Sequence, residues 1–344
     1  MHRRATARGA LVGVAAVVGL IVVAGLVVGL VAVGGAADTQ EDVATPVVDS
    51  EALAQVRPSG PILVRAVDRD DVDGDGQVFS IAPDGQVSAV GNLRCKRVAA
   101  APGGGGLCLA VARNGLDYDA VVFDGAGRRG LTRPVDGLPS RARVSRDGRY
   151  GAFTSFPLQP GQVPGYARDT ADFTTTTRVI DLDSGEVALN PDKLDIRRNG
   201  RPVSTEGAEY WGFTFGDGGR YYATAAVRFD RVLIKGKIGD RRADVVHEIV
   251  ECPSLAPDQT RIAYKRPVLG SGNWELYVLD LETLEETPLA ELRSIDDQPE
   301  WLNDDWIAYS DGRAVFATRA DGKGQPVRLA RFATSPAVAA GGSR

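Results

Sequence analysis

Histidine is almost missing from this chain of 344 residues, which has two, His2 and His247. A serine hydrolase needs a histidine base beside its nucleophile, and zinc sites draw on clustered His and Cys. No Gly-x-Ser-x-Gly elbow and no Cys-x-x-Cys pair occurs, so triad hydrolysis, zinc and haem are all poorly served. A single methionine set against 41 glycines speaks for a turn-rich, strand-rich fold and against a helical bundle. Excess basic charge is also lacking. The net charge is -5 although Arg3, Arg4 and Arg8 all precede the first acid, Asp38, so the remainder is more acidic still. That argues against nucleic acid or an anionic membrane surface as an electrostatic partner. At 43% hydrophobic and 25% charged residues the composition is that of a globular protein.

Long apolar runs are confined to one place. Gly9 to Ala37 carries no charge, and about 20 apolar residues suffice to cross a bilayer core. The run exceeds the roughly 7–15 residues of a cleavable signal peptide, so it reads as an uncleaved signal-anchor, transmembrane over residues 9–36. The alternative is cleavage near Gly34-Gly35-Ala36-Ala37, whose small residues suit a signal peptidase. Residues 1–8, with Arg3, Arg4 and Arg8, form a basic cytoplasmic stub and set an N-in, C-out orientation. The expected location is therefore the cytoplasmic membrane, with the C-terminal domain extracytoplasmic. Residues 37–60 mix acids, Thr, Ser and Pro without period and read as a linker.

From residue 61 to about 340, short β-branched or aromatic runs alternate with Asp/Gly turns. A unit recurs as Ser145-Arg146-Asp147-Gly148-Arg149-Tyr150-Gly151-Ala152-Phe153 and Ala256-Pro257-Asp258-Gln259-Thr260-Arg261-Ile262-Ala263-Tyr264, with degenerate copies at 216–224, 303–309 and 102–109. A second hairpin follows each copy, with turns near Asp84, Asp124, Ser184, Gly236, Glu282 and Asp321. This period overlaps the roughly 40–50 residues of a propeller blade. Six second hairpins against five first hairpins leave one blade without its opening strand. Ala333 to Val338 resembles an opening strand, and Ile62 to Val67 looks like a partner without one. The expectation is an all-β, six-bladed β-propeller in which the C-terminal strand completes the first blade.

The unit resembles the TolB-like propeller repeat, whose blades carry a Ser-Pro-Asp-Gly turn followed by an Ile-Ala-Phe/Tyr strand. It is similar in more detail to membrane-anchored TolB-like proteins of actinobacteria through Glu251 to Asp258, Tyr210 to Phe215 and Asp296 to Leu302. This resemblance implies a WD-like repeat fold and little chemistry. TolB itself has a separate N-terminal α/β domain, where this chain has a linker.

Outside the cytoplasm three cysteines invite pairing. Cys95 and Cys108 flank the turn Pro102 to Gly106, and a hairpin centred there would set them opposite one another, so Cys95–Cys108 is the expected bridge, with Cys252 left over. Asp71, Asp73 and Asp75, with Gly74 and Gly76, fit the first half of a calcium loop, but Ala82 stands where an EF-hand has its bidentate Glu. A hairpin calcium loop and a solvated Asp/Gly turn both remain open, and no other cofactor is expected.

Asp296, Asp297 and Glu300 put three carboxylates where a blade begins, followed by Trp301. They are candidates to line an axial ligand-binding mouth, and paired acids also suit glycosidic chemistry. Trp211 is a candidate to stack on a ligand, with blade packing as the alternative. Two readings follow. One is a non-enzymatic scaffold that binds an envelope protein through blade loops, the long stretch Phe156 to Thr177 first among them. The other is a carbohydrate- or small-ligand-binding, even carbohydrate-active, propeller.

Overall fold

A computed structural model describes residues 44–67, 75–157, 174–227 and 230–338. Repeated aspartates shape the connections. In five of the third-to-fourth-strand turns an Asp side chain caps the backbone two residues on: Asp84, Asp124, Asp181, Asp280 and Asp321 each accept such an N–H. This Asx geometry reverses the chain without help from the core, which is why Asp/Gly clusters mark the period.

The strands form six sheets arranged as blades. Blade one contains Ala333–Val338, Ile62–Ala66, Gly76–Ile81 and Val87–Cys95, in that order outward. Blade two is Arg97–Ala100, Gly106–Val111, Tyr118–Phe123 and Arg129–Val135, and blade three is Leu138–Val144, Tyr150–Phe156, Thr176–Asp181 and Val187–Leu189. Blade four runs Glu209–Phe215, Arg220–Val227, Asp230–Lys237 and Arg242–Glu248. Blade five is Glu251–Leu255, Arg261–Val268, Asn273–Asp280 and Glu286–Pro288, and blade six is Glu300–Trp301, Trp306–Ser310, Ala314–Arg319 and Val327–Arg331. The first-named strand of each blade is the inner one, and neighbouring inner strands touch around the axis.

The ring closes as expected. Ile62 pairs with Val338, Leu63 with Ala337, Arg65 with Thr334 and Ala66 with Ala333, antiparallel. Every residue of both strands is buried, so two sheet edges that would otherwise face solvent are paired. Apolar layers fill the gaps between blades, such as Val64, Ile81, Ala308 and Val315 between blades one and six.

Residues 44–60, assigned above to a linker, are built onto the propeller. Val47–Val48 adds a fifth strand to blade six, and Ser50–Val56 forms a helix, α1. The Asp49 side chain caps α1 by accepting the Ala52 N–H at 3.1 Å, and Ala52, Leu53 and Val56 bury one face. Asn303 holds its end by donating to the Val56 carbonyl at 2.7 Å. Blade four is also extended: Asp195–Arg198 pairs in parallel with its outer strand and carries the short strand Arg201–Pro202, making six strands. Among the described residues no helix is long and apolar enough to cross a membrane, and the segment 9–36 expected to do so lies outside them.

Because the strands alternate in direction, the two faces of the ring differ. One, the lower face, carries the first-to-second and third-to-fourth turns. The upper face carries the second-to-third connections and the crossings between blades.

Candidate functional site

Six inner strands can converge on an axis only where side chains are small or the backbone makes room. Gly212 does so in blade four with φ 63°. A Cβ there would stand 2.6 Å from the Cα of Cys252 in blade five, so only glycine fits. The pairing of the inner strand slips next to Gly212 and again next to Cys252.

Charged side chains meet in the space that remains. Asp296, Asp297 and Glu300 do come together at the axis, but each faces a cation. Arg141 Nη2 of blade three reaches Asp296 Oδ1 at 3.1 Å, and Lys265 of blade five pairs with the same carboxylate. Arg97 Nη1 of blade two holds Asp297 Oδ1 at 2.9 Å. Arg143 of blade three pairs with Glu300 of blade six, and its Nη2 donates to the Pro299 carbonyl at 2.9 Å. Blades three and six lie opposite in the ring, so these pairs staple it across its axis. Two further carboxylate oxygens are also used: Asp297 Oδ2 accepts from the Ser310 N–H and Glu300 Oε1 from the Val338 N–H, both at 3.0 Å.

The electrostatics follow from this pairing. Burial alone would raise the Asp296 carboxyl, but Lys265 and Arg141 outweigh it and hold it below the usual range. Burial alone would lower the Lys265 ammonium, yet Cys252, Asp296 and Glu251 around it push it up. Burial pulls the Arg143 guanidinium down to about 10 against Asp297 and Cys252, leaving it charged at neutral pH. Cys252 is a buried free thiol, and Arg141 Nε donates to its Sγ at 3.3 Å. A general acid needs a raised carboxyl and a nucleophile needs a base within reach. Here the candidate acids are spent on ion pairs.

Below the ion pairs a cavity of about 250 Å³ reaches the lower face, where Ser59, Pro102, Arg146 and Pro257 line it. Trp301 borders it, but it is 5% exposed and its Nε1 donates to the Ser254 carbonyl at 2.8 Å. Trp211, 6% exposed in the inner strand of blade four, does not line it. Both tryptophans are thus buried in inner strands, and Trp301 alone of the two reaches the cavity.

Asp71 and Asp73 lie outside the described residues, as do 158–173 of the long stretch between Phe156 and Thr177. Asp75 is half-buried. Its Oδ2 accepts the Val111 N–H of blade two at 2.7 Å, and burial raises its carboxyl although Lys96, Arg65 and Arg94 bear on it from nearby. Among the described residues no group of three or more ligating side chains assembles a metal site.

Cys95 and Cys108 form a disulfide with Cα atoms 5.5 Å apart, but not across a hairpin. Cys95 ends the outer strand of blade one, opposite Gly76, whereas the partner of Cys108 in its own hairpin is Val98. The bridge joins neighbouring blades. The four cations of the channel, Arg97, Arg141, Arg143 and Lys265, are marked by no motif, although the arginines stand where inner strands approach the axis.

No family model matches the sequence, and no curated protein matches it either. Among solved structures, TolB from Acinetobacter baumannii is similar with a TM-score of 0.58 and 16% identity, over 82% of this chain and 67% of that one. A chain of the nidogen/laminin complex is similar with a TM-score of 0.51 and 11% identity, over 82% of this chain and 100% of that one. Putative TolB from Agrobacterium tumefaciens gives a TM-score of 0.48 at 10% identity, over 81% and 92%. The likeness to TolB from Acinetobacter baumannii, with the six sheets, establishes a TolB-like six-bladed β-propeller fold.

Proposed function

We propose that the chain is a non-enzymatic, extracytoplasmic β-propeller, tethered to the cytoplasmic membrane by residues 9–36, that binds a protein of the cell envelope. The observation that carries this reading is the neutralisation of Asp296, Asp297 and Glu300 by cations from other blades. A channel built this way offers paired charges for recognition, its candidate acids being engaged in ion pairs. The Cys95–Cys108 bridge suits an oxidising compartment. The apolar segment behind Arg3, Arg4 and Arg8, and the motifs similar to membrane-anchored TolB-like proteins of actinobacteria, suit the tether. A chain of similar fold occurs in a complex of nidogen with laminin, which shows that this architecture is compatible with a protein partner. Affinity capture from cross-linked native membranes tests the reading. Repeated recovery of one envelope protein in near-equal amount is expected; recovery of the chain alone would contradict it.

The cavity supports a second reading, in which a small polar ligand such as a sugar enters from the lower face between Arg146 and Glu300. Its volume of about 250 Å³ lies just below the roughly 300–1,000 Å³ of ordinary ligand sites. Density for a soaked saccharide in the cavity, or a hit on a glycan array, would favour it. Turnover of a glycan lost on Glu300→Gln would replace the non-enzymatic conclusion.

A further inference from the structure

Among the described residues the most exposed apolar side chains are not spread evenly over the ring. Leu116, Leu269 and Leu292 are 84%, 90% and 94% exposed, well above Val187 at 58% and Leu284 at 42%. Leu116 tips the second-to-third connection of blade two, Leu269 that of blade five, and Leu292 lies in the crossing from blade five to blade six. All three stand on the upper face, and blades two and five are on opposite sides of the axis. Single exposed leucines are ordinary on a protein surface. Three on one face, one at blade two and two across the axis at blade five and its crossing to blade six, suit a flat and extended apolar partner.

The chain enters the propeller on that face. Val47 pairs with Arg331 and Val48 with Ala330, so the fifth strand of blade six runs from the upper end towards the lower one, and residue 44 precedes it on the upper side. Only residues 38–43 separate this point from the apolar segment ending at Ala37. Fully extended, six residues reach about 20 Å, much less than the roughly 50 Å breadth of a compact body of this size.

We infer that the upper face docks on the lipid bilayer, with Leu116, Leu269 and Leu292 entering its interface and the axial cavity left open on the lower face. This rests on the reading of residues 9–36 as a membrane anchor. The net acidity of the chain removes electrostatic attraction to anionic lipid as the cause, and the contact is apolar burial of the kind that holds amphipathic surfaces at the acyl boundary.

The full chain, reconstituted in phosphatidylcholine vesicles, tests this with an environment-sensitive fluorophore placed singly by Leu116→Cys, Leu269→Cys and Leu292→Cys. Val187→Cys and Leu284→Cys serve as controls on the lower face. Native background is low because Cys252 is 1% exposed and the other two cysteines are bonded. Expected quenching by nitroxide-bearing lipid is at least about twofold stronger at the three upper sites, as for side chains sunk about 5–10 Å into the interface. Equal quenching at all five sites, in a chain that resists alkaline carbonate extraction, overturns the docking and leaves the anchor standing. A chain stripped by carbonate overturns the anchor, and the docking with it.

Discussion

Replacing Arg143 by methionine leaves Glu300 as a buried carboxylate without its cation, and replacing Glu300 by leucine strands Arg143 in the same way. Their side chains are 14% and 11% exposed, so solvent cannot take over the missing partner. Breaking such a pair from one side costs about 3–5 kcal/mol, whereas exchanging both members for apolar groups of similar volume is near neutral. Some loss persists in the double variant, because Glu300 also accepts the Val338 N–H and Arg143 donates to the Pro299 carbonyl and to Ser254 Oγ. At about 1 kcal/mol for each such bond, the double variant Arg143→Met with Glu300→Leu should lie about 3 kcal/mol below the wild type. A coupling of about 3 kcal/mol or more then separates it from the sum of the single variants. Urea unfolding of the full chain in detergent, followed by tryptophan fluorescence, measures all four proteins, with Trp301 next to the pair. Single costs that add to within about 0.5 kcal/mol would refute a cross-axis ion pair.

Three further outcomes are expected. Asp296 has a depressed carboxyl in the folded state, so its contribution is full above the ordinary range near pH 4 and is lost as pH falls through the folded value. Asp296→Asn should therefore flatten the loss of stability between pH 5 and pH 2 measured by urea midpoints, and an unchanged acid profile would count against the pairing. Removing the bridge by Cys95→Ala with Cys108→Ala opens a loop with a sequence separation of 13, which should cost about 3 kcal/mol and lower Tm by roughly 6 °C. Millimolar calcium should leave Tm unchanged, given Lys96, Arg65 and Arg94 around Asp75; a rise of several degrees would support the calcium loop.

How far the fold could be read from the residues depended on how local its signals are. Asx turns need an Asp or Gly at a fixed place, so blade spacing shows directly, and Ile62 to Ala66 without an opening strand pointed to the distant Ala333 to Val338. The helix Ser50–Val56 is only seven residues long, and its cap Asp49 is one acid among several in a Thr- and Pro-containing stretch. The parallel pairing of Asp195 to Arg197 with Arg242 to Asp244 has no apolar alternation to announce it. The cysteine pair was legible from proximity in sequence, but Cys95 belongs to a different blade from Cys108. At the axis the acids are consecutive and easily seen, whereas the arginine that neutralises Asp296 lies 155 residues away. Through-space pairing across a ring leaves no trace in local spacing.

Closure of the ring by the last strand is the claim on which channel, cavity and faces all depend. Ending the chain after Arg331 removes Ala333–Val338, buried throughout, and uncovers Ile62, Leu63 and Val64, each at most 4% exposed. At about 1.5–3 kcal/mol for each large apolar side chain, with the lost strand pairing besides, the deficit rivals the roughly 5–15 kcal/mol that holds a domain together. Expression of this truncated chain, with size and unfolding measured in detergent, should give aggregated or unfolded protein. A monomer that unfolds cooperatively at the wild-type temperature would contradict the closed ring.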